Sequence, residues 1–216
     1  MIGSPVHSLN LRIFDYWYNW ISRFKVPIVI AVHKELRDTL ESYSLTILEY
    51  EGSVYSIVDI AEGRNVIREY ALDENYDCVF WIDTDVFPGQ NAITRAFSID
   101  DWDVLCNLPH GKFDIGCTFT KREVLSKVTF KPYYQEVVIG EGVVFGIEAR
   151  LLGFKVVTKK SLFPVFHYHP QSKGSSLETS VVKIKETKVR EPIMKWDVYW
   201  DYFSSEDPIR EFKYSL

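Results

Sequence analysis

Residues 78–88, CVFWIDTDVFP, form an apolar run that ends abruptly in two carboxylates spaced i, i+2, Asp83 and Asp85. A short apolar run bounded by turn residues reads as a buried strand. Alternate residues of a strand share a face. Asp83 and Asp85 are therefore expected to project together beyond the strand end, with Pro88 stopping the strand. In open α/β sheets ligands bind beyond that edge. Two carboxylates so close repel each other unless a cation lies between them. Hard divalent ions such as Mg2+ or Mn2+ accept carboxylate oxygens and keep positions for substrate phosphates. The chemistry expected is a metal-held diphosphate.

The rest of the chain supplies a sheet around that strand. Residues 26–32 (VPIVIAV) read as the first core strand, 45–50 (LTILEY) as the second, and 54–60 as a short further strand. Residues 63–74 read as a helix, 89–97 as another, and 104–107 as a strand. Apolar strands alternating with helical segments argue a parallel α/β sheet. The second half departs from that order. A strand over 114–120 feeds a short helix over 121–127, a helix over 140–152 is closed by Gly153, and strands follow over 154–158 and 162–169. A mixed sheet is expected. Residues 1–170 read as one domain, and 171–216 as a polar linker and a tail. In the tail, Trp196, Tyr199, Trp200 and Phe203 call for docking on the body or on a second subunit, so a homodimer is considered.

Ile13, Phe14, Trp17, Trp20, Ile21 and Phe24 recur at helical spacing between residues 10 and 25. Packing against the domain's own sheet is the favoured reading, with contact at a membrane surface the other. No apolar run reaches the roughly 18 residues of a membrane span, and the start lacks a signal-peptide pattern. A cytoplasmic protein, peripheral to a membrane if α-helical contact is made, is expected. Cys78, Cys106 and Cys117 lie in strand-like stretches without zinc spacing and read as reduced core residues. The formal net charge of -5 argues against nucleic acid as the main partner.

The ordered set Arg64-Asn65 at a helix start, Asp83-Thr84-Asp85, Gly116-Cys117-Thr118-Phe119, Glu141-Gly142 and His167-Tyr168-His169 resembles the GT-A glycosyltransferases. These are nucleotide-sugar-dependent enzymes with a DxD motif, and the resemblance covers roughly residues 26–170. It implies a Rossmann-like α/β/α sandwich with a mixed central sheet. It also implies transfer of a sugar from a nucleoside diphosphate-sugar donor to a hydroxyl on a glycan, lipid or protein acceptor. Asp83 and Asp85 would hold Mn2+ or Mg2+ on the diphosphate, completed by His167 or His169. Val32, His33 and Glu51 (or Glu49) would line the nucleotide, with Arg64, Asn65, Asp83 and Thr84 around the diphosphate-sugar. Many inverting members open the late helix with a Glu-Asp pair whose Asp is the general base. Here the pair reads Glu141-Gly142, which leaves Glu141 or Asp114 for that role, or a retaining enzyme that needs none.

Three rival readings stand beside this one, the first a nucleotidyltransferase, which also pairs carboxylates with a metal but commonly has a Gly-rich loop where His33-Lys34-Glu35 stands here. A haloacid-dehalogenase-type phosphatase shares the local D-x-D pattern but usually carries it on the first strand. A non-catalytic nucleotide-sugar-binding protein would keep the fold and lack turnover.

Overall fold

The computed structural model describes residues 1–52, 56–107, 115–134, 138–159 and 162–167. The expectations for Asp114, His169, the domain boundary near 170 and the tail after it lie outside the described residues. The elements in chain order are β1 (Ile2–Val6), α1 (Leu11–Ile21), β2 (Ile28–His33), α2 (Arg37–Leu40), β3 (Thr46–Tyr50), α3 (Ser56–Asp73), β4 (Cys78–Ile82), β5 (Val86–Pro88), α4 (Ala92–Phe97), β6 (Val104–Asn107), β7 (Cys117–Lys121), α5 (Arg122–Leu125), β8 (Tyr133–Tyr134), β9 (Val138–Ile139), α6 (Glu141–Leu151), β10 (Val156–Lys159) and β11 (Val165–His167).

Seven strands form one sheet in the order β10-β6-β7-β4-β1-β2-β3. β7 runs antiparallel to both neighbours and every other pairing is parallel. Alternation along the strands divides the core in two. Ile28, Ile30 and Val32 of β2 and Phe80 and Ile82 of β4 meet Ile13, Phe14, Trp17 and Ile21 of α1 and Ala92 and Ala96 of α4. Val29, Ala31, Val79 and Trp81 meet α3, α5 and α6 on the other face. Helices on both faces of a mixed sheet make the chain a Rossmann-like α/β/α sandwich, the architecture that the GT-A resemblance implies. Burying each large apolar side chain of α1 is worth about 1.5–3 kcal/mol. The favoured reading of this stripe, packing against the sheet, is the one found: Ile13, Phe14, Trp17 and Ile21 are at most 3% exposed, and Trp20 and Phe24 pack against the same cluster.

Three sequence expectations are corrected. The first strand is β1, not residues 26–32, and it lies inside the sheet between β2 and β4. Its sequence, IGSPV, looks like a turn because α3 presses on it: a Cβ on Gly3 would stand 2.8 Å from Ile67 Cγ2. Residues 56–60 are not strand but the opening of α3. Finally, β4 spans Cys78–Ile82 as expected, but the aspartates beyond it do not sit on one strand face. Residues 83–86 form a turn closed by the Val86 N–H donating to the Asp83 carbonyl at 2.9 Å. The chain then continues as β5, which ends on Pro88 and pairs antiparallel with β11. Asp83 and Asp85 are therefore placed by a turn, not by strand alternation. The helix stop at Gly153 is as expected. Gly153 takes φ +86, and the Phe154 and Gly153 N–H groups donate to the Ala149 and Arg150 carbonyls, a Schellman closure.

Candidate functional site at the strand ends

Chain order reverses across β1: β2 and β3 extend the sheet one way, and β4 returns on the other side. The crevice beyond the carboxyl ends of β1 and β4 is thus the topological switch point, where open α/β sheets bind ligands. Pro5 helps to open it. The Ile2 N–H donates toward β2, to the Pro27 carbonyl at 2.8 Å, so by alternation the Pro5 nitrogen faces β4. Proline has no N–H to donate there, and the β1–β4 register runs only through Ile2 and Gly3.

Asp83 is the first residue beyond β4. Its N–H donates to the Gly116 carbonyl at 3.0 Å, which ties the turn to the start of β7. Its side chain meets Arg64 of α3. The Arg64 Nη2 donates to Asp83 Oδ1 at 2.7 Å and its Nε donates to Glu141 Oε1 at 3.1 Å. Arg64 is 1% exposed. Its guanidinium carbon lies 5.8 Å from the Trp81 ring centroid and 5.9 Å from that of Phe130. Phe130 in turn stacks on Phe145 of α6 at 4.3 Å and meets Trp81 edge-on. A guanidinium is planar and weakly hydrated, so it tolerates burial between aromatic walls when its edges reach carboxylates. Three elements distant in sequence converge on this one side chain.

Glu141 is the first residue of α6 and 7% exposed. The helix N-terminus favours a carboxylate there. Its Oε1 accepts from Arg64, so Glu141 sits under the guanidinium as a holding group. The absent partner aspartate has a packing reason. A Cβ on Gly142 would stand 2.6 Å from Ile115 Cγ2 and 2.8 Å from Ile115 Cβ. No side chain fits at that position without moving Ile115.

The other expected site residues divide. Asp85 is half-buried in the turn beside Asp83. Thr84 is 1% exposed, and its Oγ1 accepts from Asn10 Nδ2 at 2.8 Å, so the central residue of the motif anchors the turn to the start of α1. Asn65 does not face the crevice with Arg64. Its Nδ2 donates to the Phe130 carbonyl at 2.7 Å and its Oδ1 accepts the Phe130 N–H at 2.8 Å. Val32 is fully buried on the α1 face and belongs to the core. His33 ends β2 half-buried, with its Nδ1 accepting from the Glu35 N–H and its ring edge-on to Tyr50. Glu51 is exposed beyond β3, and Glu49 pairs with Arg37 on the surface. His167 closes β11 opposite Val86, so its backbone neighbours the aspartate turn; its side chain lies outside the described residues. Among the described residues no group of three or more His, Cys, Asp or Glu forms a metal cage.

Sequence reasoning missed His7, Ser8 and Asn10. They follow β1 at the switch point, and Asn10 is bonded to the aspartate turn. The signal was available: polar residues immediately before an amphipathic run mark a helix start, and a helix start needs a preceding element to leave.

The donor chemistry suits a hard divalent ion. Carboxylate oxygens on a half-exposed turn are the ligand type Mg2+ and Mn2+ prefer.

No protein-family model matches the chain, and no curated protein sequence matches it. Solved structures of similar shape include a Desulfovibrio desulfuricans protein provisionally named a nucleotide-diphospho-sugar transferase, at 12% identity, 74% of this chain, 78% of that chain and a TM-score of 0.47. The inositol-1-phosphate CTP transferase from T. maritima follows at 14% identity, 77% and 88% coverage and a TM-score of 0.46. The glycosyltransferase GlyE of Streptococcus pneumoniae matches at 12% identity over 74% of this chain and 45% of its own, with a TM-score of 0.46. The fold assignment rests on the strand order and layer packing described above. No helix among the described residues is long and apolar enough to cross a membrane.

Proposed function

We propose that the protein binds a nucleoside diphosphate-sugar together with Mn2+ or Mg2+ at the β1/β4 switch point and transfers the sugar to a hydroxyl acceptor. The observation that carries this reading is the buried Arg64 bridging Asp83 and Glu141 at the strand ends. Burying a cation between aromatic rings is costly unless its geometry is used, and here the geometry orients the aspartate that opens the D-x-D turn.

In this reading Asp83 and Asp85 hold the divalent ion. Bound there, a divalent ion would supply charge neutralisation to a nucleoside diphosphate leaving group. Arg64 keeps the Asp83 carboxylate in one orientation, and Glu141 keeps Arg64 in place. Asn10 and Thr84 tie the turn to α1, so both walls of the crevice are cross-braced. His7 and Ser8 at the end of β1, with His33 at the end of β2, line the side on which the nucleoside would lie. Asp114 and His169 are assigned no step.

A second reading, a donor-binding protein without turnover, is favoured by one feature. Glu141 is committed to Arg64, and Gly142 leaves no room for an adjacent acid. The phosphatase reading fits less well, because the motif strand is the fourth in the chain and Asp83 Oδ1 already accepts from Arg64.

A thermal-shift screen of nucleotide sugars with and without Mn2+ tests the proposal. A ligand at a hundred times its Kd stabilises by about 2.7 kcal/mol. The expected result is a rise in Tm that needs both donor and metal and disappears in the Asp83→Asn/Asp85→Asn variant. No donor-dependent rise, or an equal rise in that variant, overturns it. Mn2+-dependent release of nucleoside diphosphate from the stabilising donor then separates enzyme from binder.

A further inference from the structure

A surface groove of about 360 Å3 lies away from the strand-end crevice. Among the described residues it is lined by Tyr16, Asn19, Trp20, Arg23, Phe87 and Phe166. Its walls come from the outer side of α1 and from the β5–β11 ribbon. The aromatic rings are held rather than loose. Trp20 Nε1 donates to the Pro88 carbonyl at 2.7 Å, Trp20 and Phe87 meet edge-on at 6.4 Å, and Phe87 and Phe166 lie 6.0 Å apart. Tyr16 is nonetheless 61% exposed and Phe166 37% exposed. Arg23 stands over the Trp20 ring at 5.1 Å and is the one charged residue among the described residues lining the groove. Arg12 and Lys25 are exposed on the same helix and just beyond it. A rigid, aromatic, basic-rimmed groove fits a segment that is aromatic on one face and acidic beside it.

The chain contains such a segment. Trp196, Tyr199, Trp200 and Phe203 recur at i, i+3, i+4 and i+7, the spacing of one helical face. Asp197 and Asp201 follow the first and third of them, and residues 196–207 hold four acids and no base. The connection from the groove is also direct. Phe166 lines the groove, and 28 residues (168–195) separate β11 from Trp196. A connection of that length is long enough for residue 196 to reach back to Phe166. Tethering at that length gives an effective concentration on the order of millimolar.

We propose that residues 196–203 dock in cis into the groove between α1 and the β5–β11 ribbon, with their aromatic face on Trp20, Phe87 and Phe166 and their acidic flank on Arg23. Docking clamps β11 onto β5, the strand that continues directly from the aspartate turn. This inference stands independently of the proposed activity.

Hydrogen–deuterium exchange on the full-length protein tests it, read on peptides covering residues 12–24 and 162–167. A segment tethered at about 1 mM and binding with a Kd of about 0.1 mM leaves the groove open about one-tenth of the time. The Trp196→Ser/Trp200→Ser variant should therefore raise exchange there about tenfold, with β1 to β4 unchanged. Arg23→Glu should raise it too, and Arg23→Glu/Asp201→Arg should restore protection. Unchanged exchange in the tryptophan variant overturns the proposal. So does a charge swap that restores nothing. Protection that grows with protein concentration, alongside a dimer in sedimentation, assigns the groove to a second copy instead. Protection that appears only with anionic phospholipid vesicles assigns it to a membrane.

Discussion

Replacing Arg64 by methionine should cost more stability than any other single change at the strand ends. The magnitude follows from what the change leaves behind. Asp83 is 32% exposed at its side chain, so water can solvate its carboxylate once the guanidinium is gone. The Glu141 side chain is only 10% exposed and would lose the guanidinium that donates to its Oε1. Removing one member of a buried ion pair typically costs about 3–5 kcal/mol. With a urea m-value of about 2 kcal/mol/M, the midpoint should fall by about 1.5–2.5 M. Equilibrium urea unfolding followed by tryptophan emission measures this directly. Arg64→Met/Glu141→Met removes both charges, so it should recover most of the loss. Arg64→Lys should fall between, because an ammonium cannot donate as a fork to two carboxylates. The reasoning fails if Arg64→Met costs under about 1 kcal/mol, or if the double variant loses the sum of the two singles, since coupled partners must be non-additive.

Three further outcomes are expected. Gly142→Ala should destabilise by about 1–3 kcal/mol through overpacking against Ile115 and weaken donor binding by shifting Glu141; normal stability with normal donor affinity would show that α6 can move freely. Asn65→Ala should cost about 1–3 kcal/mol by stripping partners from the Phe130 N–H and carbonyl, measurable as a lowered urea midpoint, whereas an unchanged midpoint would mean the 130 loop is held by other contacts. Stability should fall on the alkaline side. Burial pushes the Cys78 thiol from 9.0 up to about 11, and burial with the charges of Asp59 and Glu62 pushes the Tyr50 phenol from 10.0 up to about 12. Both groups ionise first in the unfolded chain, so their stabilising contribution is complete below pH 9 and is lost from pH 9 to 11 for Cys78 and from pH 10 to 12 for Tyr50. Thermal melts should be flat to about pH 8.5 and decline above it, with Cys78→Ala delaying the onset by about one pH unit; a melt unchanged at pH 10.5 would sink this.

Local chemistry along the chain specified much of this protein. The apolar run at 78–82 could only be a buried strand, and the stripe from Ile13 to Phe24 could only be a helix with one wet face. Gly153 could only end its helix, because the αL geometry there excludes most side chains. The turn to acid after Ile82 marked the edge where chemistry belongs. These features depend on neighbours within about one turn of helix or one strand, so they are readable from residues in order. Tertiary structure alone decided the rest. β1 is a strand because α3 and the sheet enclose Gly3, Ser4 and Pro5, not because those residues favour extension. Asp83 and Asp85 share a turn rather than a strand face because a bond from Val86 to Asp83 ends the ladder. Asn65 serves Phe130, and Arg64 joins two acids 19 and 77 residues away. Such partners are set by which helix lies over which strand, a long-range packing outcome that no local pattern encodes.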